Sequence, residues 1–244
     1  MMEFTYDAYF RFLDQLHSTG YQVRSFDGRG ERTQSGDRVL LLRHDIDLDL
    51  DRAVTLAELE HRRGITATYF VLLTSSFYNP ASASGRERVS AIAALGHSIG
   101  LHFDATVYGC DRDVAEFNQR CNEEAQQLEA IAGVSVDTVS FHRPAPMLLG
   151  AGPELTAPRI HTYLPQYVQE MEYCSDSTGV WRFGPPDQRE AITQGRAMHL
   201  LTHAEWWGEE AMPRNLRTST LLHERAGRVR RAVLDELGMP VDNN

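Results

Sequence analysis

The chain has 244 residues and a net charge of −10, from 24 Lys and Arg against 34 Asp and Glu. A surface of that sign disfavours nucleic acid or an anionic membrane as the main partner. There is no run of about 18 apolar residues, no basic and apolar secretory leader, and no CxxC pair among three widely spaced cysteines. We therefore expect a cytoplasmic protein without a membrane span, a disulfide framework or a thiolate zinc site.

The hydrophobic pattern predicts alternating helices and short apolar strands. In chain order the predicted elements are a helix over 5–19, strands over 21–26 and 39–43, a helix over 50–63, a strand over 67–73, a helix over 84–95, a strand over 97–101, a helix over 112–132, strands over 138–141, 172–175 and 197–202, and a closing helix over 214–237. A polar, Gly-rich loop is expected over 27–37, and the Pro- and Gly-rich stretch 144–168 gives no clear element.

This alternation predicts a mostly parallel sheet, open or closed, and no linker suggests a domain boundary. We therefore expect residues 1–244 to form a single domain. The apolar side chains of the closing helix are predicted to face inward, namely Leu222, Ala226, Val229 and Val233.

Four predicted strands end in stretches rich in acidic and imidazole side chains. The stretches are Arg43-His44-Asp45-Ile46-Asp47, His102-Phe103-Asp104, Phe141-His142-Arg143-Pro144 and His203-Ala204-Glu205-Trp206-Trp207. In a barrel of parallel strands the carboxyl ends meet on one face, where catalytic groups lie. The four stretches together therefore predict one hydrolytic metal site.

Asp45 and Asp47 are two residues apart, so on an extended chain both carboxylates point to the same side. Crowded carboxylates are costly unless a cation lies between them or one takes up a proton, which suits one metal ligand and one base. The alternative is that both belong to the loop before the next helix, where Asp49 and Asp51 are expected to cap. His102 is placed to ligate a metal through a neutral imidazole, and Asp104 could orient it or ligate as well.

The prolines after His142 and Arg143 fix the turn in which these two side chains lie. An arginine beside a carboxylate base keeps that base ionised and oriented, whereas the alternative is a salt bridge next to a buried histidine. His203 is expected to be the general acid for a leaving amine. Trp206 and Trp207 are expected to line an apolar or sugar-stacking wall, with core packing as the alternative.

The motifs resemble those of the polysaccharide deacetylases, the NodB-like carbohydrate esterases with a distorted (β/α)7 barrel. Two aspartates are followed by Gly64-Ile65-Thr66-Ala67-Thr68-Tyr69-Phe70, which is similar to the family's Gly-Ile-x-Ala-Thr-Phe-Phe. The chain then has Gly96-His97-Ser98-Ile99-Gly100-Leu101-His102 for Gly-His-Glu-Ile-Gly-x-His, Arg143-Pro144 for Arg-Pro, and Leu200-Leu201-Thr202-His203 for Leu-x-x-His. The resemblance covers about residues 38–207.

The resemblance implies a role for each matched residue. One motif aspartate is the base that activates water and the other binds zinc; counting back from Ala67 favours Asp45 as base and Asp47 as ligand, with the exchanged roles as the alternative. His102 carries over as a zinc ligand, Arg143 as the residue that orients the base, and His203 as the acid.

The chain departs from the family at two places. Ile46 separates the aspartates that are adjacent in the family, and Thr106 stands where the family has a second zinc histidine. A third ligand must come from elsewhere, with His142 as first choice and Asp104 or His44 in reserve.

Together these observations predict a single distorted (β/α)7-type barrel with a bound Zn²⁺ or other divalent metal. The expected activity is removal of an acyl group, in the simplest case acetyl, from an N-acylated amine such as an N-acetyl sugar or sugar conjugate. The alternatives are hydrolysis of another non-peptide C–N bond and a non-catalytic carbohydrate-binding relative.

Overall fold

A computed structural model describes residues 2–26, 36–110 and 113–240, so most of the loop expected over 27–37 lies outside the described residues. The helices are α1 (Tyr6–Ser18), α2 (Leu50–His61), α3 (Ala83–Ala94), α4 (Val114–Ala132), α5 (Pro165–Val168), α6 (Glu190–Gln194) and α7 (Arg214–Glu236). The strands are β1 (Gln22–Arg24), β2 (Val39–Ile46), β3 (Thr68–Val71), β4 (Ser98–Phe103), β5 (Thr138–Phe141), β6 (Ile160–His161), β7 (Glu172–Ser175) and β8 (Met198–Thr202). Each predicted element corresponds to one of these, while β6, α5 and α6 were not predicted.

The sheet is parallel throughout the described residues, in the order β6-β5-β4-β3-β2-β8-β7. β1 pairs with the first half of β2, and β3 pairs with its second half. Because β6 and β7 stand at the two ends of this order without pairing to each other, the curled sheet stays open on that side. The predicted α/β fold of the distorted (β/α)7 type is confirmed, as an open barrel. No helix in the described part of the chain is both long and apolar enough to cross a membrane.

Strand register brings the polar strand ends to one face. β2 extends to Ile46, so Asp45 lies on the strand, opposite Phe70 of β3. β4 extends to Phe103, which places His102 opposite Ser140 of β5. β2 and β4 are therefore longer at their carboxyl ends than predicted, and sheet pairing fixes the backbone at Asp45 and His102.

A glycine on β4 allows close packing next to the site. A Cβ atom added to Gly100 would lie 2.4 Å from the ring of Phe70 on β3. Phe70 is fully buried, so its ring could not move aside without disturbing the core. Gly100, which the sequence shares with the deacetylase motif, is thus required for the contact between β3 and β4.

The helices begin as the sequence predicts but one of them packs differently. Asp49 caps α2 by accepting hydrogen bonds from the backbone N–H groups of Asp51 and Arg52. In α7 the prediction that the face with Leu222, Ala226, Val229 and Val233 points inward is wrong, because these side chains are exposed. Leu221 and Arg217 are the residues that α7 buries. Helical spacing identified an apolar stripe, but apolar spacing alone does not show that a stripe is covered.

Candidate metal and acid–base site

Three ligand atoms come together at the carboxyl ends of β2, β4 and β5, from Asp47, His102 and His142. Nε2 of His102 lies 3.2 Å from Oδ1 of Asp47 and 3.1 Å from Nδ1 of His142, and Nδ1 of His142 lies 3.4 Å from that same Oδ1. Ligand atoms of a tetrahedral zinc site with bonds of about 2.0–2.1 Å lie about 3.3 Å apart. The three separations therefore match one face of such a site.

The polar atoms of this cluster also fit a cation. Oδ1 of Asp47 is buried and accepts no hydrogen bond in the structure, which is costly for a carboxylate oxygen unless a cation compensates it. An ionised carboxylate and two imidazoles are a common ligand set for a catalytic zinc with an open position.

Ser140 fixes the orientation of the His102 ring. Its hydroxyl lies 2.6 Å from Nδ1 of His102 and donates to the Asp45 carboxylate, at 3.2 and 3.3 Å from the two oxygens. Because that hydroxyl proton points to Asp45, Nδ1 of His102 is the donor to the Ser140 oxygen. Nε2 is then unprotonated and faces Asp47, as a metal ligand requires.

Asp45 lies next to the ligand cluster and is held by an arginine of its own strand. The buried Arg43 guanidinium donates to Oδ2 of Asp45 at 3.0 Å, and the same oxygen lies 3.7 Å from Nε2 of His102. Burial lowers the pKa of Arg43, but the Asp45 carboxylate outweighs burial and the net pKa is raised. Arg43 also donates to the hydroxyls of Thr162 and Tyr163. Asp45 is therefore a buried carboxylate with a fixed orientation.

His203 follows β8 and is oriented by Asp176, the first residue after β7. Its Nδ1 lies 2.6 Å from Oδ1 of Asp176, and Oδ2 of Asp176 accepts from the His203 backbone N–H and from the Trp207 indole. Burial lowers the pKa of His203, but the Asp176 carboxylate and its hydrogen bond outweigh burial and raise the pKa to about 10. With Nδ1 bound to Asp176, Nε2 carries the proton that can be transferred, 3.9 Å from Oδ2 of Asp47.

Arg143, which the sequence analysis expects to orient the base, is paired with Asp104 and not with Asp45. Arg143 has a φ of 47°, its side chain is 70% exposed, and it donates to Oδ2 of Asp104 at 2.8 Å. The chain leaves the extended conformation directly after His142, and the guanidinium is paired with Asp104. The arginine that donates to Asp45 is Arg43.

The two reserve ligands are bound to other groups. Asp104 accepts from the N–H and hydroxyl groups of Thr106 as well as from Arg143; burial raises its pKa, but these hydrogen bonds outweigh burial and lower it. His44 is fully buried behind β2, with Nδ1 at 2.6 Å from the Thr202 hydroxyl and Nε2 at 3.0 Å from Glu60. His142, the first choice from the sequence, is thus the candidate that stands beside Asp47 and His102.

Neither tryptophan lines the cleft. Trp207 is fully buried and packs against Phe4 and Tyr9 at centroid distances of 5.3 and 4.9 Å. Trp206 is partly buried, with its ring near Gly179. The prediction of a tryptophan wall is therefore wrong, and Trp207 contributes instead by donating to Asp176.

One cleft of about 720 Å³ contains all six residues predicted to act on the metal or the substrate bond: Asp45, Asp47, His102, His142, Arg143 and His203. Its walls are largely apolar, with Phe141, Leu149, Tyr163, Val168, Tyr173, Phe183 and Leu201. The volume is in the range of small-molecule sites.

Three residues of the site were missed in the sequence. Arg43 could have been found, because the alternation that puts Asp45 and Asp47 on one side of β2 puts Arg43 there too. Asp176 carries the same strand-end signal as the other acidic groups, since it directly follows β7. Ser140 gives no sequence signal, because its contacts depend on the register between β4 and β5.

No protein-family model and no curated protein matches the chain. Among solved structures, a family 4 carbohydrate esterase from Bacillus anthracis is similar at 12% identity and a TM-score of 0.46, over 95% of this chain and 88% of that chain. The chitin deacetylase from the fungal pathogen Colletotrichum lindemuthianum is similar at 14% identity and a TM-score of 0.46, over 84% and 86%. A family 4 pseudoenzyme from Bacillus anthracis is similar at 10% identity and a TM-score of 0.43, over 85% and 65%.

Proposed function

We propose that the chain is a metal-dependent hydrolase that removes an acyl group, in the simplest case acetyl, from an N-acylated amine. The expected substrate is an N-acetyl sugar or sugar conjugate, as the motif resemblance implies. The observation that carries the proposal is the joint placement, in one cleft, of a three-ligand cluster, a buried carboxylate and an oriented imidazole.

Asp47, His102 and His142 would hold the cation, which we take to be Zn²⁺ or another divalent metal. When bound, the cation supplies Lewis-acid chemistry, lowering the pKa of water toward neutrality and polarising the acyl carbonyl. Thr106, at the position of the family's second zinc histidine, bonds to Asp104 instead. His142 supplies the third ligand atom from the end of β5, which accounts for a complete set without a histidine at position 106.

Asp45 serves as the general base. Its carboxylate takes the proton of the attacking water, and Arg43 and Ser140 keep both carboxylate oxygens in place during the transfer. The Arg43 guanidinium does not compete for that proton, because it has only donors.

His203 serves as the general acid. Its Nε2 proton goes to the nitrogen of the departing amine, and Asp176 stabilises the imidazolium before the transfer. A free carboxylic acid and a neutral amine leave the cleft, and both groups are restored when Asp45 loses, and His203 regains, one proton through solvent. The pairing of His203 with a buried carboxylate follows the same logic as in other histidine–aspartate pairs, where the aspartate fixes the tautomer.

The test is release of acetate from N-acetylglucosamine and its short oligomers by the zinc-loaded protein. We expect turnover that a chelator removes and that Asp45→Asn lowers by about 10²- to 10⁴-fold in kcat, the usual contribution of general acid–base catalysis. Asp14→Asn, on the exposed face of α1, makes the same chemical change outside the site and should keep full activity. Equal activity of wild type and Asp45→Asn would refute the assignment of the base.

A further inference from the structure

The charged side chains of the cleft are almost all neutralised by partners of opposite charge. Asp47 faces the two imidazoles and the proposed cation. The other pairs are Asp45 with Arg43 at 3.0 Å, Arg143 with Asp104 at 2.8 Å, and His203 with Asp176 at 2.6 Å. Among the described residues that line the cleft, Arg182 is the one cation with no hydrogen bond or ion pair.

Arg182 lies in the segment between β7 and α6, next to the exposed aromatic ring of Phe183. Phe183 and Leu149 are each about half exposed and line the same cleft. Arg182 is itself exposed, and because the other charges of the cleft are paired, its positive charge can attract a ligand of the opposite sign. The guanidinium of Arg182 is therefore free to bind a group that enters with the substrate.

We propose that Arg182 binds an anionic group on the substrate, so that the preferred substrate is an N-acylated compound that carries a carboxylate or phosphate. This inference rests on the proposed hydrolase function and adds a substrate class to it. A guanidinium offers two parallel donors that match the oxygens of carboxylates and phosphates, and it stays protonated at any physiological pH. Arg143 is less available for this purpose, because Asp104 already accepts from it.

The experiment compares three probes with the zinc-loaded full chain. They are N-acetylglucosamine as the neutral probe, N-acetylmuramic acid as the carboxylate probe and N-acetylglucosamine 1-phosphate as the phosphate probe. Binding is measured by calorimetry, and acetate release gives kcat and KM separately. We expect at least one anionic probe to bind about 2- to 5-fold more tightly than the neutral one, the range for an ion pair with an exposed side chain. Which of the two anionic probes binds more tightly shows whether Arg182 prefers a carboxylate or a phosphate group.

Substitution of Arg182 tests whether this residue is the cause. In Arg182→Gln the ratio of anionic to neutral affinity should fall to about one, and Arg182→Lys should restore part of it. Arg230→Gln removes the same charge from the exposed surface of α7 and should leave the ratio unchanged. An equal fall in Arg182→Gln and Arg230→Gln, or no anionic preference in the wild type, would overturn the inference.

Failure of the anion site and failure of the hydrolase function give different results in these measurements. If Arg182→Gln abolishes an anionic preference in binding while no probe is hydrolysed, the anion site stands and the hydrolase function fails. If the neutral probe is bound as tightly and hydrolysed as fast as the anionic probes, the hydrolase function stands and the inference about Arg182 fails.

Discussion

The two arginines that could support Asp45 should differ greatly in their contribution to stability. Arg43 is fully buried, and its replacement by Gln leaves the buried Asp45 carboxylate without its cation. Breaking a buried ion pair by removing one partner costs roughly 3–5 kcal/mol. For a protein of about this size each kcal/mol lowers Tm by about 2–4 °C, so Arg43→Gln should lower Tm by about 6–20 °C.

Arg143→Gln should have a much smaller effect. The Arg143 side chain is 70% exposed, and solvent screening limits such a pair to about 0–1 kcal/mol. Asp104 would retain its hydrogen bonds from Thr106. We expect a fall in Tm of at most about 4 °C.

The assay is thermal unfolding of the two single variants, together with a cycle that includes Asp45→Asn. Arg43 also donates to Thr162 and Tyr163, so the cycle is needed to isolate the pair. The double variant Arg43→Gln/Asp45→Asn should be destabilised by less than the sum of the two single variants, because each single variant leaves one unpaired charge and the double variant leaves none. A larger loss of stability in Arg143→Gln than in Arg43→Gln would refute the reasoning and restore the assignment made from the sequence.

Three further predictions concern the acid and the closing helix. Asp176→Asn should move the alkaline limb of kcat/KM to lower pH, because burial lowers the pKa of His203 once the carboxylate that raises it to about 10 is gone. The raised pKa of His203 stabilises the fold fully below the unfolded-state pKa of about 6.5, and this stabilisation is lost as the pH rises through about 10. Asp176→Asn should therefore lose more stability at pH 6 than at pH 10. An equal loss at both pH values would contradict the pairing of His203 with Asp176. His203→Ala should slow amide substrates far more than activated esters, whose leaving groups need no proton, and equal slowing would remove the general-acid role. On α7, Leu221→Ala should lower the free energy of unfolding by about 2–5 kcal/mol and Leu222→Ala by less than about 0.5 kcal/mol, because Leu221 is buried and Leu222 is exposed. Similar losses in the two variants would show that a partner covers the outer face of α7.

Much of the fold could be predicted because its elements have strong local signals. The first half of β2 is a continuous apolar run, and α2 has helical periodicity and the capping residue Asp49. Parallel pairing then follows from the alternation of strands and helices. The stretch 144–168 gave no prediction, because β6 has two residues and α5 has four, too few to produce a periodic pattern.

The site residues were predictable where they stand at the carboxyl ends of strands, but their polar partners were not predictable where these depend on which strands are neighbours. The strand-end positions of Asp47, His102 and His142 were sufficient to place them together. The pairing of Asp176 with His203 requires that β7 lie beside β8, which the sequence does not reveal. The position of the Trp207 ring likewise depends on tertiary packing, because the sequence is compatible with a ring in the cleft wall or in the core.

The central claim is tested most directly by the metal content of the purified protein and its variants. After exposure to zinc and removal of the unbound ion, elemental analysis should find about one zinc per wild-type chain, the content of a single catalytic site. Asp47→Ala, His102→Ala and His142→Ala should each lose that zinc, whereas Asp104→Ala should keep it, because Asp104 is bound to Thr106 and Arg143. Full zinc content in the first three variants, or loss in Asp104→Ala with retention in His142→Ala, would contradict the site described here.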